Sequence, residues 1–127
     1  MTRQAVFPSS RPRPASPYYS PGIRFGSLVF TSGQVGTDPS GQVPPGVREQ
    51  TQNCLDNIQA VLETAGTDMA HVLKTTVFLT DIKDFTAMNE VYRKAFPGDL
   101  PARSTVGVSA LARPELKVEI EAVAAIP

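Results

Sequence analysis

Cysteine and histidine are almost absent from this chain. Among its 127 residues there is one of each, Cys54 and His71, and there is no tryptophan. A single cysteine forms no intrachain disulfide and no cysteine cluster for zinc. One histidine excludes the usual histidine-based metal centres and a two-histidine ribonuclease. Surplus charge of either sign is also lacking, because twelve Lys and Arg balance twelve Asp and Glu. Phosphate backbones are bound by an excess of Lys and Arg on one surface. No nucleic-acid partner is therefore expected, and the polybasic route to a membrane surface is missing too. No apolar run approaches the length that spans a bilayer. The opening "MTRQAVFPSSRPRPASPYY" has arginines but no apolar segment, so it does not read as a secretory signal. A reducing, cytoplasmic setting is the expectation. The chain also lacks the GxSxG, P-loop, GxGxxG and HExxH motifs.

The length suits one domain over residues 1–127. Residues 8–21 carry five prolines, which favour extended backbone and forbid a helix. Residues 1–18 thus form a Pro-rich N-terminal arm, with a short strand expected around Ala5 to Phe7. "SLVFTSGQVG" (27–36) reads as a buried strand ending in a turn at Ser32-Gly33, and "TDPSGQVPPG" (37–46) as turns. Val47 to Ala65 is a helix with Thr51, Cys54, Leu55, Ile58, Val61 and Leu62 on one stripe, stopped by Gly66. Thr67-Asp68 caps a short turn over Met69 to Val72. "KTTVFLTD" (74–81) is a strand. Asp84 is the expected N-cap of a second helix, whose stripe runs from Phe85 through Met88 and Tyr92 to Phe96. Strands at Arg103–Val108 and at 117–125 follow. In the last, Val118, Ile120 and Ala122 alternate with Glu119 and Glu121.

These elements predict an α+β fold: a mixed five- or six-stranded sheet with two helices on one face. Nothing remains to cover the other face, although several of its residues are apolar. Such a face is expected to be buried against other subunits.

Two chemical readings stay open from the residues themselves. Arg103 opens one strand, and Glu119 and Glu121 lie on another. They could form an ion pair at an oligomer contact. Alternatively, Arg103 could bind a small carboxylate through its planar fork while a glutamate holds a water. Cys54 sits on the buried stripe and reads as an inert core thiol. His71 reads as a surface residue of a connector.

The stretches "YSPGIRFGSLVFTSGQVG" (19–36), "QNCLDNIQAVLETAG" (52–66), "HVLKTTVFLTDIKDFTAMNEVY" (71–92), "PARSTVGV" (101–108) and "VEIEAVA" (118–124) resemble the RidA, or YjgF, family of reactive-imine deaminases. The resemblance covers nearly everything after residue 18. It implies a chorismate-mutase-like fold and a homotrimer with active sites in clefts between subunits. It implies that Arg103 of "PARS" binds the substrate carboxylate, helped by backbone N–H groups around Thr105. It implies that Glu119 positions the attacking water, that Gly33 leaves room for the ligand beside Ser32, and that Asn89 contributes to the cleft. Tyr19, seven residues before the glycine of "RFG", is the tyrosine expected to close it. Three departures stand out: Thr105 replaces a frequent cysteine, "SALARPELK" (109–117) is one residue longer, and "FPGDLP" (96–101) is shorter than in many relatives.

The implied function is hydrolysis of short 2-enamine and 2-imine acids, such as 2-aminoacrylate and 2-iminopropionate, to a 2-keto acid and ammonia. The partner is then a small carboxylate-bearing imine, with no metal or cofactor required. The alternatives are a non-catalytic metabolite-binding or regulatory protein using the same cleft, and an endoribonuclease or translation inhibitor. Neutral charge and the lone histidine count against the last.

Overall fold

The computed structural model describes residues 1–11 and 18–127. The expectations for residues 12–17 of the arm lie outside the described residues. Seven strands form one mixed sheet: β1 (Gln4–Val6), β2 (Gly22–Phe25), β3 (Leu28–Thr31), β4 (Gln34–Val35), β5 (Val72–Leu79), β6 (Ala102–Gly107) and β7 (Val118–Ala125). Their order is β1-β2-β3-β7-β5-β6, with β4 beside β7. Two helices, α1 (Val47–Ala65) and α2 (Phe85–Tyr92), pack on one face.

The sheet is wider than the five or six strands expected. The extra strands are short. Before α1 the chain makes a hairpin, with β2 and β3 joined through Gly26 at φ 59°, and then adds β4. Glycine tolerates that left-handed turn without steric cost. Only β5 and β6 are parallel, and α2 is their crossover.

Helix α1 forms over the expected residues. Cys54, Leu55, Ile58, Val61 and Leu62 are at most 1% exposed, so each large side chain contributes about 1.5–3 kcal/mol by burial. Gly66 closes the helix at φ 97°, its N–H donating to the carbonyls of Glu63 and Leu62. From the sheet, Val77, Leu79, Val118 and Ile120 are fully buried against the helices. Asp68 caps the short turn at Met69–His71 as expected.

Asp84 departs from its expected role. It precedes α2 but is itself helical and makes no side-chain cap. Asp81 does the capping one turn earlier, accepting from the Lys83 N–H at 2.9 Å. The reason is that "DIKDF" starts with a 3-10 turn, Ile82–Asp84, that runs into α2.

The opposite face is open. Phe30 pairs with Val123 and Phe78 with Val106 across it. Phe30 is 45% and Val106 42% exposed. Glu119 and Glu121 share this face, since they pair with Phe78 and Thr76.

Candidate active site

Arg103 lies on the helix-covered side of β6, at the free edge of the sheet. Its register partner is Thr75, a buried residue that faces the helices. Helix α2 passes over it and presents Asn89 and Tyr92 one turn apart. The Arg103 guanidinium donates to Asn89 Oδ1 at 2.8 Å. Its centre stands 4.7 Å from the Tyr92 ring and 5.6 Å from the Phe85 ring. The Tyr92 hydroxyl is itself fixed, 2.6 Å from Thr75 Oγ1, and burial pushes its pKa up. These contacts hold the guanidinium plane and leave donors unused. Among the described residues no carboxylate is close enough to pair with it. The guanidinium borders an open cleft of about 360 Å³ lined by Asn89, Tyr92, Arg93, Leu100, Pro101 and Arg103.

Thr105, two residues along the strand, faces the same side. Its Oγ1 is the one buried side-chain polar atom among the described residues without a hydrogen-bond partner.

Glu119 belongs to a different place. Strand β5 separates β6 from β7, so Arg103 and Glu119 are not on neighbouring strands. Their register positions on β5, Thr75 and Phe78, put them on opposite faces. Two strand spacings and three residues of rise separate their backbones by about 10 Å in each direction. Within one chain the two side chains cannot share a ligand, and the intrachain Arg–Glu pair is excluded.

What gathers around Glu119 is the segment between β3 and β4. Strand β4 places Val35 opposite Glu119. Gly33 lies so close that a Cβ built on it would stand 2.7 Å from Glu119 Cδ. The Glu119 carboxyl is half-buried, and its pKa is raised, first by desolvation and then by the negative charge of Glu121. Ser32 is committed locally: its hydroxyl donates to the Ser20 carbonyl at 2.6 Å, and its N–H to the Pro21 carbonyl at 2.8 Å. Those bonds anchor the segment that carries Tyr19. The tyrosine is 54% exposed and lines a smaller cleft of about 140 Å³ with Gln34 and Arg11.

The residues expected to form one site therefore fall into two groups. Asn89, Arg103 and Thr105 lie on the helix side; Tyr19, Ser32, Gly33 and Glu119 lie with β4. Tyr92 and Phe85, which flank the guanidinium, were read only as core-stripe residues. Their spacing from Asn89 on α2 was the available signal. Cys54 is fully buried, its thiol donating to the Val118 carbonyl at 3.6 Å and its pKa pushed up by burial. His71 pairs with Asp68 at 2.7 Å in the surface turn. Among the described residues no three His, Cys, Asp or Glu side chains cluster as metal ligands, and no helix is long and apolar enough to cross a membrane.

Comparison with known proteins gives this arrangement a family. The family described as Endoribonuclease L-PSP matches residues 8–126. The mouse 2-iminobutanoate/2-iminopropanoate deaminase is 44% identical over 124 residues, covering 96% of this chain and 90% of its own. The structure of the Escherichia coli YjgF gene product superposes with a TM-score of 0.91 at 35% identity, covering 98% of this chain and 99% of that one. Escherichia coli TdcF, crystallised with bound serine, gives a TM-score of 0.89 at 36% identity and covers 96% and 98%. The chain belongs to the RidA (YjgF) family, whose two-helix, mixed-sheet fold it shares.

Proposed function

We propose that the protein is a hydrolytic deaminase of short 2-imino acids, and that each active site is assembled from two copies of the chain. The carrying observation is the Arg103 guanidinium, oriented by Asn89 and two rings and, among the described residues, left without an acidic partner. A positioned, unpaired fork suits a substrate carboxylate. The deaminase activity named for the mouse relative supports the choice of 2-iminobutanoate and 2-iminopropanoate as substrates.

The two faces explain the assembly. A site that needs both Arg103 and Glu119 takes the first from one copy and the second from a neighbour. The open apolar face around Phe30 and Val106 supplies the burial that drives association. Three copies close the ring, as the family resemblance implies.

In this scheme Arg103 fixes the carboxylate, with backbone N–H groups near Thr105 assisting. Glu119 of the neighbouring copy accepts a hydrogen bond from water and aims its oxygen at the imine carbon. The C–O bond forms as the C=N π pair moves to nitrogen; the water passes one proton to Glu119, and nitrogen takes up one proton in turn. The resulting carbinolamine then breaks its C–N bond as its hydroxyl proton is passed, through Glu119, to the leaving nitrogen, giving ammonia and the 2-keto acid. Imines hydrolyse readily, so positioning and modest acid–base help suffice. The raised pKa of Glu119 brings its proton exchange nearer to neutral pH.

The test is ammonia release from 2-iminopropionate generated in the assay by an amino-acid oxidase. Acceleration over the spontaneous rate is expected, with loss of the effect in Arg103→Ala. A second reading, binding without turnover, draws support from the serine seen in TdcF. Serine or pyruvate binding at Arg103 with no acceleration of imine hydrolysis would establish it instead.

A further inference from the structure

Of the five amide side chains on helix α1, three, Gln50, Asn53 and Asn57, stand at spacings of three and four, so they form one stripe. Gln50 is 0% and Asn57 7% exposed. Each of the three spends its amide on backbone groups outside the helix. Asn57 Nδ2 donates to the Val35 carbonyl at 3.1 Å and to the Thr37 carbonyl at 3.0 Å. Asn53 Nδ2 donates to the Gly36 carbonyl between them at 3.1 Å. Gln50 Nε2 reaches the carbonyls of Pro44 at 2.8 Å and Glu115 at 3.0 Å, and its Oε1 accepts from the Lys117 N–H at 2.8 Å. Asn57 Oδ1 also accepts from Arg11 Nε at 2.8 Å.

The targets converge on Glu119. Three consecutive carbonyls, 35 to 37, leave β4 and are held by the helix. On the other side, Lys117 is the residue that enters β7. Strand β4 contributes only Gln34 and Val35 to the pairing with β7, too little to hold itself in register. Its placement, and with it that of Gly33 against the Glu119 carboxyl, depends on the amides.

We propose that the Gln50–Asn53–Asn57 stripe is a positioning device that locks β4 onto β7 and so sets the place of the Glu119 carboxylate. The proposal rests on the reading of Glu119 as the water-orienting group. It makes no use of Arg103, which lies on the other face. Loosening the stripe therefore shifts turnover and leaves carboxylate capture alone. It also admits water beside Glu119. The titratable groups that act on that carboxyl among the described residues are Glu121 on β7 and, across the sheet, the Cys54 thiol on α1; Lys117 precedes it by two residues, and β4 adds none.

The experiment compares Asn57→Ala and Asn53→Ala with the parent and with Gln59→Ala, whose amide bonds only to Glu63 on the exposed side of α1. Three quantities are read: melting temperature, kcat and KM on 2-iminopropionate, and the titration midpoint of the Glu119 carboxyl by carbon NMR. Asn57→Ala is expected to lower kcat at least about tenfold, with KM within about twofold. The Glu119 midpoint should fall toward the ordinary carboxylate value. Asn53→Ala should move both in the same direction by less, and it decides the matter if Asn57→Ala does not fold. A lower melting temperature with an unchanged midpoint and kcat would overturn the proposal. If the parent shows no deaminase activity but the midpoint still falls in both variants, the positioning stands and the proposed reaction fails.

Discussion

Gly33→Ala separates the fold from the chemistry more sharply than a change to either charged residue. A Cβ at position 33 would stand 2.7 Å from Glu119 Cδ and 3.0 Å from Cγ, and closer still to Oε2. Carbon atoms pack at about 3.5–4.0 Å, so the carboxyl must retreat by about 1 Å. The atoms in the way are the far end of one flexible side chain, not backbone. The retreat therefore costs the fold little, on the order of 1 kcal/mol or less for one off-rotamer side chain. Catalysis is less forgiving: a misplacement of about 1 Å costs on the order of a hundredfold. The expected result is a kcat for imine hydrolysis reduced by about two orders of magnitude. The melting temperature should stay within a few degrees, and pyruvate binding, which the proposed mechanism assigns to Arg103, should persist. Unchanged turnover in a folded Gly33→Ala protein would refute the placement of the reacting water at Glu119.

Arg103→Lys keeps the charge and removes the planar fork; a loss of about 1.5–3 kcal/mol of charged hydrogen bonding should lower kcat/KM at least about tenfold, and an unchanged rate would make Arg103 structural. Glu119→Gln should abolish proton acceptance at every pH while pyruvate still binds. Its stability follows from the raised pKa of the folded carboxyl: that group favours the fold below its unfolded pKa and loses the contribution as pH rises through the folded one. Glu119→Gln should therefore melt at or above the parent near about pH 7, the advantage vanishing below about pH 4. Thr105→Val removes the unpartnered buried hydroxyl; relief of a desolvation penalty of about 1–3 kcal/mol should raise the melting temperature, whereas a fall would show that the hydroxyl is bonded in the assembled protein.

Periodicity made the helices and the long strands legible. The Val47–Ala65 stripe and the alternation of Val118, Ile120 and Ala122 with Glu119 and Glu121 are dictated by burial, and both stand as read. The uncovered face followed from counting helices against strands. The short strand expected around Ala5 to Phe7 forms at Gln4–Val6, but β4 was not legible, because two residues are too brief to show a period. It exists through its neighbours: β4 is held by amides on α1. Those amides were hidden for a related reason, since Asn53 and Asn57 on a helix read as solvent-facing until their carbonyl partners are known. "PARS" and "EIEA" marked Arg103 and Glu119, but their relation depended on strand order. With β5 interposed and a register offset of three residues, the two point to opposite sides, and no spacing along the chain encodes that.

Subunit mixing tests the two-copy site directly. Arg103→Ala and Glu119→Ala should each be inactive alone. When the two are unfolded together and reassembled in equal amounts, a site takes an intact Arg103 half from one variant and an intact Glu119 half from the other about one time in four. Recovery of about a quarter of the parent activity is the expected result. If the mixture stays as inactive as its components while the reassembled oligomer is intact, the site does not draw Arg103 and Glu119 from different copies.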